Sequence, residues 1–210
     1  MAELECFFDC SSPWTYFAFE SLLRMQDDIG VTIRWRPILV GGVFNAVNPS
    51  VYEAREKPIP AKAAYGEKDQ RDWASYLGLP MLYRPTVFPV NSVKAMRACI
   101  VLEPDGNLVR FAREVFKAYW IDDLDISQVA VLTALCHKLR FDPATLLAAA
   151  DGAAARDALR VNTGELTERG GFGSPTMFVG GDDMYFGNDR MPLVRDAVLR
   201  RRRTVGPDGA

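Results

Sequence analysis

The stretch LECFFDCSSPWTYFAFESLLRMQDDIGVTIRWR, Leu4 to Arg36, decides the fold. Leu4, Cys6 and Phe8 alternate with Glu5 and Phe7, which is the two-residue period of a strand. The strand runs directly into Asp9-Cys10-Ser11-Ser12-Pro13, where a hydroxyl residue before a proline opens a helix. Tyr16, Phe17, Phe19, Leu22 and Leu23 recur at helical spacing until Asp27, Asp28 and Gly30 end the run. Val31, Ile33 and Trp35 then alternate with Thr32, Arg34 and Arg36 as a second strand. Strand, helix and strand in that order predict a parallel pair joined by a right-handed crossover.

Beyond Arg36 the alternation stops. Gly41 to about Pro60 is rich in Gly, Asn, Pro and Ala without steady period and reads as a long connection. Helical composition follows in Lys62–Leu77, Ser92–Leu102, Leu108–Trp120, Ile126–Leu139, Pro143–Ala150 and Ala153–Arg169, punctuated by prolines. Thr176–Val179 and Met184–Phe186 form a hairpin across Gly180-Gly181-Asp182-Asp183, and a last helix carries Pro192 in its first turn with Asn188 or Asp189 as cap. The order is βαβ, a helical block, then ββα. It predicts an α/β domain made of residues 1–45 and 156–210, with residues 46–155 inserted as an all-helical domain.

The chain has 210 residues, 49% of them hydrophobic and 25% charged, enough to bury a substantial core and too apolar for disorder. A formal net charge of -2 offers no basic field for nucleic acid, and the basic run Arg200 to Arg203 reads as a solvated helix end. No basic flank precedes an apolar run at the N-terminus, and no window is long enough to cross a bilayer, so neither secretion nor a membrane partner is expected. Cys6, Cys10, Cys99 and Cys136 show no C-x-x-C spacing, which fits free thiols in a reducing, cytoplasmic compartment. The single histidine, His137, lies in a helical segment, so neither a metal site nor a Ser-His-Asp arrangement is expected.

Two places could carry chemistry. Ser12 stands where a strand becomes a helix, so backbone N–H groups and the positive end of the helix dipole favour an anion, such as a thiolate, above it. The same residues also read as a plain helix cap with Pro13 at the first position. Gly173-Ser174-Pro175 precedes a strand, where Pro175 either starts it or turns the Ser174 backbone outward.

Five motifs occur in one order along nearly the whole chain: FFDCSSPWTY, RPILVGGVFNAVNP, FPVNSVKAMRA, GFGSPTMFV and MYFGNDRM. Together they resemble the 2-hydroxychromene-2-carboxylate isomerases and kappa-class glutathione transferases. The resemblance implies a thioredoxin-like domain with the helical insertion, a cis bond at Pro175, glutathione as cofactor and a homodimer. It implies that Ser12 assists the glutathione thiolate and that Ser174 beside Pro175 pairs with the cysteinyl backbone. Asn48 and Lys62 match positions on the glycine side, and Asn188 and Asp189 those that hold the γ-glutamyl group. Each also has a plain reading: Asn48 as a turn, Lys62 as a surface charge, Asn188 and Asp189 as a cap.

The implied activity is isomerisation of a small aromatic electrophile, such as 2-hydroxychromene-2-carboxylate, by reversible addition of glutathione. Net transfer or peroxide reduction with the same residues is the alternative, and a non-catalytic glutathione- or peptide-binding module is the alternative of another class. Ser-Pro-Trp-Thr stands where related disulfide oxidants carry Cys-Pro-x-Cys, so dithiol exchange lacks both sulfurs, and Cys10 at the strand end is the remaining monothiol candidate. Trp73, Tyr83, Phe88 and Asn91 are the expected walls of the substrate pocket.

Overall fold

The computed structural model describes residues 3–205; residues 1–2 and 206–210, the outer ends of the two expected sheet-domain segments, lie outside it. The alternation read from the sequence becomes β1 (Leu4–Phe8) and β2 (Ile33–Pro37), parallel and in register from Leu4 opposite Ile33 to Phe8 opposite Pro37. Helix α1 (Pro13–Ile29) crosses between them and stops at Gly30, whose positive φ of 63° lets its N–H reach the Gln26 carbonyl. β3 (Thr176–Val179) pairs antiparallel with β1, and β4 (Asp183–Phe186) with β3, giving the order β2-β1-β3-β4. Helix α10 (Met191–Val205) follows. This is the thioredoxin-like arrangement, with the remaining helices lying between β2 and β3.

Those helices are α2 (Val40–Val47), α3 (Ser50–Glu56), α4 (Pro60–Leu77), α5 (Val93–Leu102), α6 (Leu108–Trp120), α7 (Val129–Leu139), α8 (Pro143–Asp151) and α9 (Ala153–Glu168). The first two correct the expectation of an irregular connection over Gly41–Pro60. Two glycines and an Asn-Pro step hide the helical period there. The order comes from distant groups: the Asp9 carboxylate accepts the Val40 N–H, and the Thr163 hydroxyl accepts that of Leu39.

One apolar cluster runs through both parts of the molecule, which explains why α1 holds them together. Phe19 packs 4.5 Å from Trp35 of the sheet and 5.0 Å from Phe116 of α6, ring centre to ring centre. Each such fully buried aromatic is worth about 1.5–3 kcal/mol. The forked pair of Arg113 to Glu20, at 2.8 and 2.6 Å, adds a polar tie between the same two helices. The other sheet face is closed by a smaller cluster around Phe7, Ile38 and Phe178. Beside it, buried Arg36 meets Glu5, Glu165 and Asn162 and lies 4.9 Å over the Phe7 ring.

The Arg200–Arg203 run is more than a solvated end. Arg202 forks onto Glu3 at 2.6 and 2.8 Å and donates to the Ile29 and Gly30 carbonyls, tying α10 to the end of α1. None of the described helices is long and apolar enough to cross a membrane.

Candidate functional site

The chemistry-bearing residues gather where the β1–α1 junction meets the segment before β3. Ser12 caps α1: its backbone is extended, and its Oγ accepts the Thr15 N–H at 3.3 Å. The same hydroxyl donates to the Ser174 carbonyl at 3.1 Å. The Ser174–Pro175 peptide is cis, as the resemblance implied. Ser174 Oγ accepts the Asp9 N–H at 3.1 Å and shares a 2.7 Å bond with Thr15 Oγ1. Two loops that are 162 positions apart are thus laced by three hydroxyls, all buried.

Asp9 anchors this lacing. Its carboxylate is fully buried, accepting the Ser11 N–H at 2.9 Å and the Val40 N–H at 2.8 Å. Burial pushes its pKa above the usual carboxylate range, and those two N–H groups pull in the opposite direction. Cys10 points into the core. Its carbonyl accepts from Trp120 Nε1 at 2.9 Å, and burial followed by neighbouring Cys99 pushes its thiol well up, the reverse of what a reactive thiolate needs.

Ser12 opens onto a cleft of about 660 Å³ between α1, α2, α3 and the Phe88–Val93 segment. On the other side of Ser174 lies a hollow of about 390 Å³, walled by Tyr65, Asp69 and Trp73 of α4 and by Gly187–Asp189. Trp14, Ser174 and Phe186 belong to the walls of both. The cleft and the hollow thus adjoin at Trp14 and Ser174 beside the α1 N-terminus; together they are called the channel, and this junction its elbow.

Of the residues singled out from the sequence, Ser12, Asn48 and Ser174 line the cleft, whereas Ser174, Pro175, Asn188 and Asp189 line the hollow. Asn48 donates to the Phe172 carbonyl at 3.2 Å. Asn188 is buried with its amide Nδ2 lacking a partner among the described residues, while half-exposed Asp189 lies 3.2 Å from Arg190. Lys62 lines neither space; it is exposed in the first turn of α4, on the helical stripe that continues through Tyr65, Asp69 and Trp73. Phe88 and Asn91 are cleft walls and Trp73 a hollow wall, but Tyr83 lines neither.

Sequence reasoning missed Thr15, Asp9 and Arg55. Arg55 of α3 is the cleft's cation among the described residues, its guanidinium 5.7 Å from the Phe44 ring and 5.8 Å from that of Phe88. Nothing local could have flagged it, because α3 itself was hidden.

Comparison with known proteins gives the same picture over nearly the whole length. The family model described as DSBA-like thioredoxin domain matches residues 3–199. The chain is 28% identical to the 2-hydroxychromene-2-carboxylate isomerase of Pseudomonas putida, over 94% of each chain. It is 29% identical to the kappa 2 glutathione S-transferase of Caenorhabditis elegans, over 90% of this chain and 88% of that one. Among solved structures, a 2-hydroxychromene-2-carboxylate isomerase superposes with a TM-score of 0.81 at 26% identity, over 96% of both chains.

Proposed function

The chain belongs to the DSBA-like thioredoxin domain family, and from that premise we propose that it is a glutathione-dependent isomerase acting on a conjugated aromatic carboxylate of the 2-hydroxychromene-2-carboxylate type. The observation that carries the reading is the Ser12 hydroxyl at the α1 N-terminus, held 3.1 Å from the Ser174 carbonyl at the elbow of the channel. Relatives named as isomerases and kappa glutathione transferases support a glutathione-related activity.

The residues suit the tripeptide. Asn188 and acidic Asp189 line the hollow side by side, and the buried Asn188 amide has no partner among the described residues, a polar pair that suits an amino-acid head with both charges. Ser174 offers its backbone at the elbow, and Asn48 flanks the cleft. Glutathione, when bound, supplies a thiolate that adds to a conjugated carbon and later leaves, so that the bond between can rotate.

Ser12 turns its O–H from the Ser174 carbonyl to the sulfur, because a hydrogen bond to an anion is roughly twice as strong as one to a neutral oxygen. Thr15 N–H and the α1 dipole hold Ser12 Oγ and favour negative charge at that point. Thr15 and Asp9 keep Ser174 in place through its hydroxyl. Phe44 and Phe88 give the ring an apolar wall, and Arg55 beside them fits a carboxylate.

Calorimetric titration with reduced glutathione and with S-methylglutathione, followed by turnover of 2-hydroxychromene-2-carboxylate with and without the tripeptide, tests this. The expected result is tighter binding of the free thiol and turnover that needs catalytic, unconsumed glutathione. Stoichiometric loss of the thiol would replace isomerisation with transfer. Binding without any turnover would leave a non-catalytic module.

A further inference from the structure

A second cavity of about 370 Å³ lies behind the cleft, between α2, α5 and α9. Three arginines surround it: Arg97 from α5, and Arg156 and Arg160 one turn apart on α9. No carboxylate is among its lining residues. The floor is apolar, built mainly from Leu39, Val93 and Leu159.

The polar groups there are unequally satisfied. Thr163 Oγ1 accepts from Leu39 N at 3.0 Å and donates to the Leu159 carbonyl at 2.7 Å, and Thr167 donates to the Gly164 carbonyl at 2.8 Å. Both hydroxyls are spent within the fold. Arg97 Nε, by contrast, is buried and has no partner among the described residues. Among those residues the Arg156 side chain forms no ion pair, and Arg160 reaches only Asp157 at 3.7 Å, both of them exposed. Around the Arg36 end of the same helix the charges are matched, with Arg36 and Arg169 meeting Glu5 and Glu165. Three guanidinium groups thus stand around an apolar floor with no carboxylate in the lining, and one of them keeps a buried Nε–H without a partner among the described residues.

We infer that the α2–α5–α9 cavity, with Arg97, Arg156 and Arg160 at its walls and Leu39, Val93 and Leu159 as its floor, binds a small carboxylate with a ring-sized apolar body. Arginine forks match a carboxylate in two-point geometry, and the floor selects an apolar body that inorganic anions lack. The site is separate from the channel, although Leu39, Gly42 and Val93 face both spaces.

Gly164 gives a way to close it. Gly164 lines the cavity, and a Cβ added there meets no atom within 4 Å, so this wall has room to start a larger side chain. The experiment is fluorescence titration with 2-naphthoate at low salt, against wild type, R156Q/R160Q and Gly164→Leu, with 2-naphthylmethanol and inorganic phosphate as controls. Wild type is expected to bind 2-naphthoate in this cavity as well as at the Arg55 cleft, and the cavity's share is the part that survives Arg55→Gln. R156Q/R160Q weakens that share at least about tenfold, in line with the loss of charge-assisted bonds, and Gly164→Leu abolishes it. Both controls bind at least about tenfold more weakly.

Equal affinity in all three proteins would place the acid elsewhere and overturn the assignment, as would acid and alcohol binding alike or no binding of the acid at all. Sedimentation of the arginine variant as a smaller species than wild type would make the cavity a contact between copies and also overturn it. Leucine is a better helix former than glycine, so Gly164→Leu should melt no lower than wild type. Should it fail to fold, the exposed Arg156 and Arg160 changes still decide the question.

Discussion

Replacing Ser12 by alanine removes three things at once, and each has its own size. The cap on Thr15 N–H, at a long 3.3 Å, is worth about 0.5–1 kcal/mol. The bond to the Ser174 carbonyl, at 3.1 Å, adds about 1 kcal/mol. Urea unfolding of the free protein should therefore show a loss of about 1.5–2 kcal/mol. The third effect appears only with glutathione bound. A hydroxyl bonded to an ionised partner is worth about 1.5–3 kcal/mol, and 1.36 kcal/mol corresponds to about one pKa unit. The bound thiol should titrate about one to two units higher in Ser12→Ala, with turnover at neutral pH about tenfold to a hundredfold lower. The ultraviolet absorbance of the thiolate followed against pH reads the first, and an initial-rate assay the second. Ser75→Ala, an exposed change on α4 that lines neither space, is the control and should change neither. If Ser12→Ala loses the expected stability while the bound thiol keeps its pKa to within about half a unit, Ser12 is only a helix cap and the assignment fails.

Arg36→Met strips a buried cation from Glu5 and Glu165, so it should cost about 3–5 kcal/mol in urea unfolding; a loss below about 1 kcal/mol would show that Arg169 alone suffices. Asn188→Leu removes a buried donor that lacks a partner among the described residues, so the free protein should be at least as stable, yet glutathione should bind at least about tenfold more weakly by calorimetry. Unchanged affinity would remove Asn188 from the site. The Arg202 fork beside Glu3 holds that carboxyl down to about 2 from 4.5, so its stabilisation is fully present above about pH 4.5 and is lost as the pH falls towards 2. Glu3→Gln should therefore flatten acid unfolding across that window, as seen by circular dichroism, and a profile as steep as wild type would count against the pair.

The sheet was legible because alternation in Leu4–Phe8 and Ile33–Pro37 is a local property that the parallel register then uses directly. Ser12 and Ser174 could be named from their places at a strand-to-helix turn and before a strand. Their mutual bond could not, since it depends on how β3 docks on β1. α2 was invisible because its start is fixed by Asp9 and Thr163 from across the fold, and α3, tied back to it by the Tyr52 hydroxyl on the Gly41 carbonyl, was hidden with it, as was Arg55. Lys62 shows the reverse case. Its charge suits a carboxylate, but the start of α4 carries it one turn beyond the channel wall.

The pairing of β1 with β3 joins residues near the two ends of the chain, and Ser12 meets Ser174 across 162 positions. Loops of that length close slowly compared with the formation of helices from neighbouring residues. During synthesis or refolding, most of the helical content can form before the hydroxyl lacing exists. The Ser12–Ser174 bond therefore depends on the most distant pairing in the sheet and not on any local element. A chain cut before Gly173 would keep α1 to α9 in its sequence yet lack Ser174 and β3.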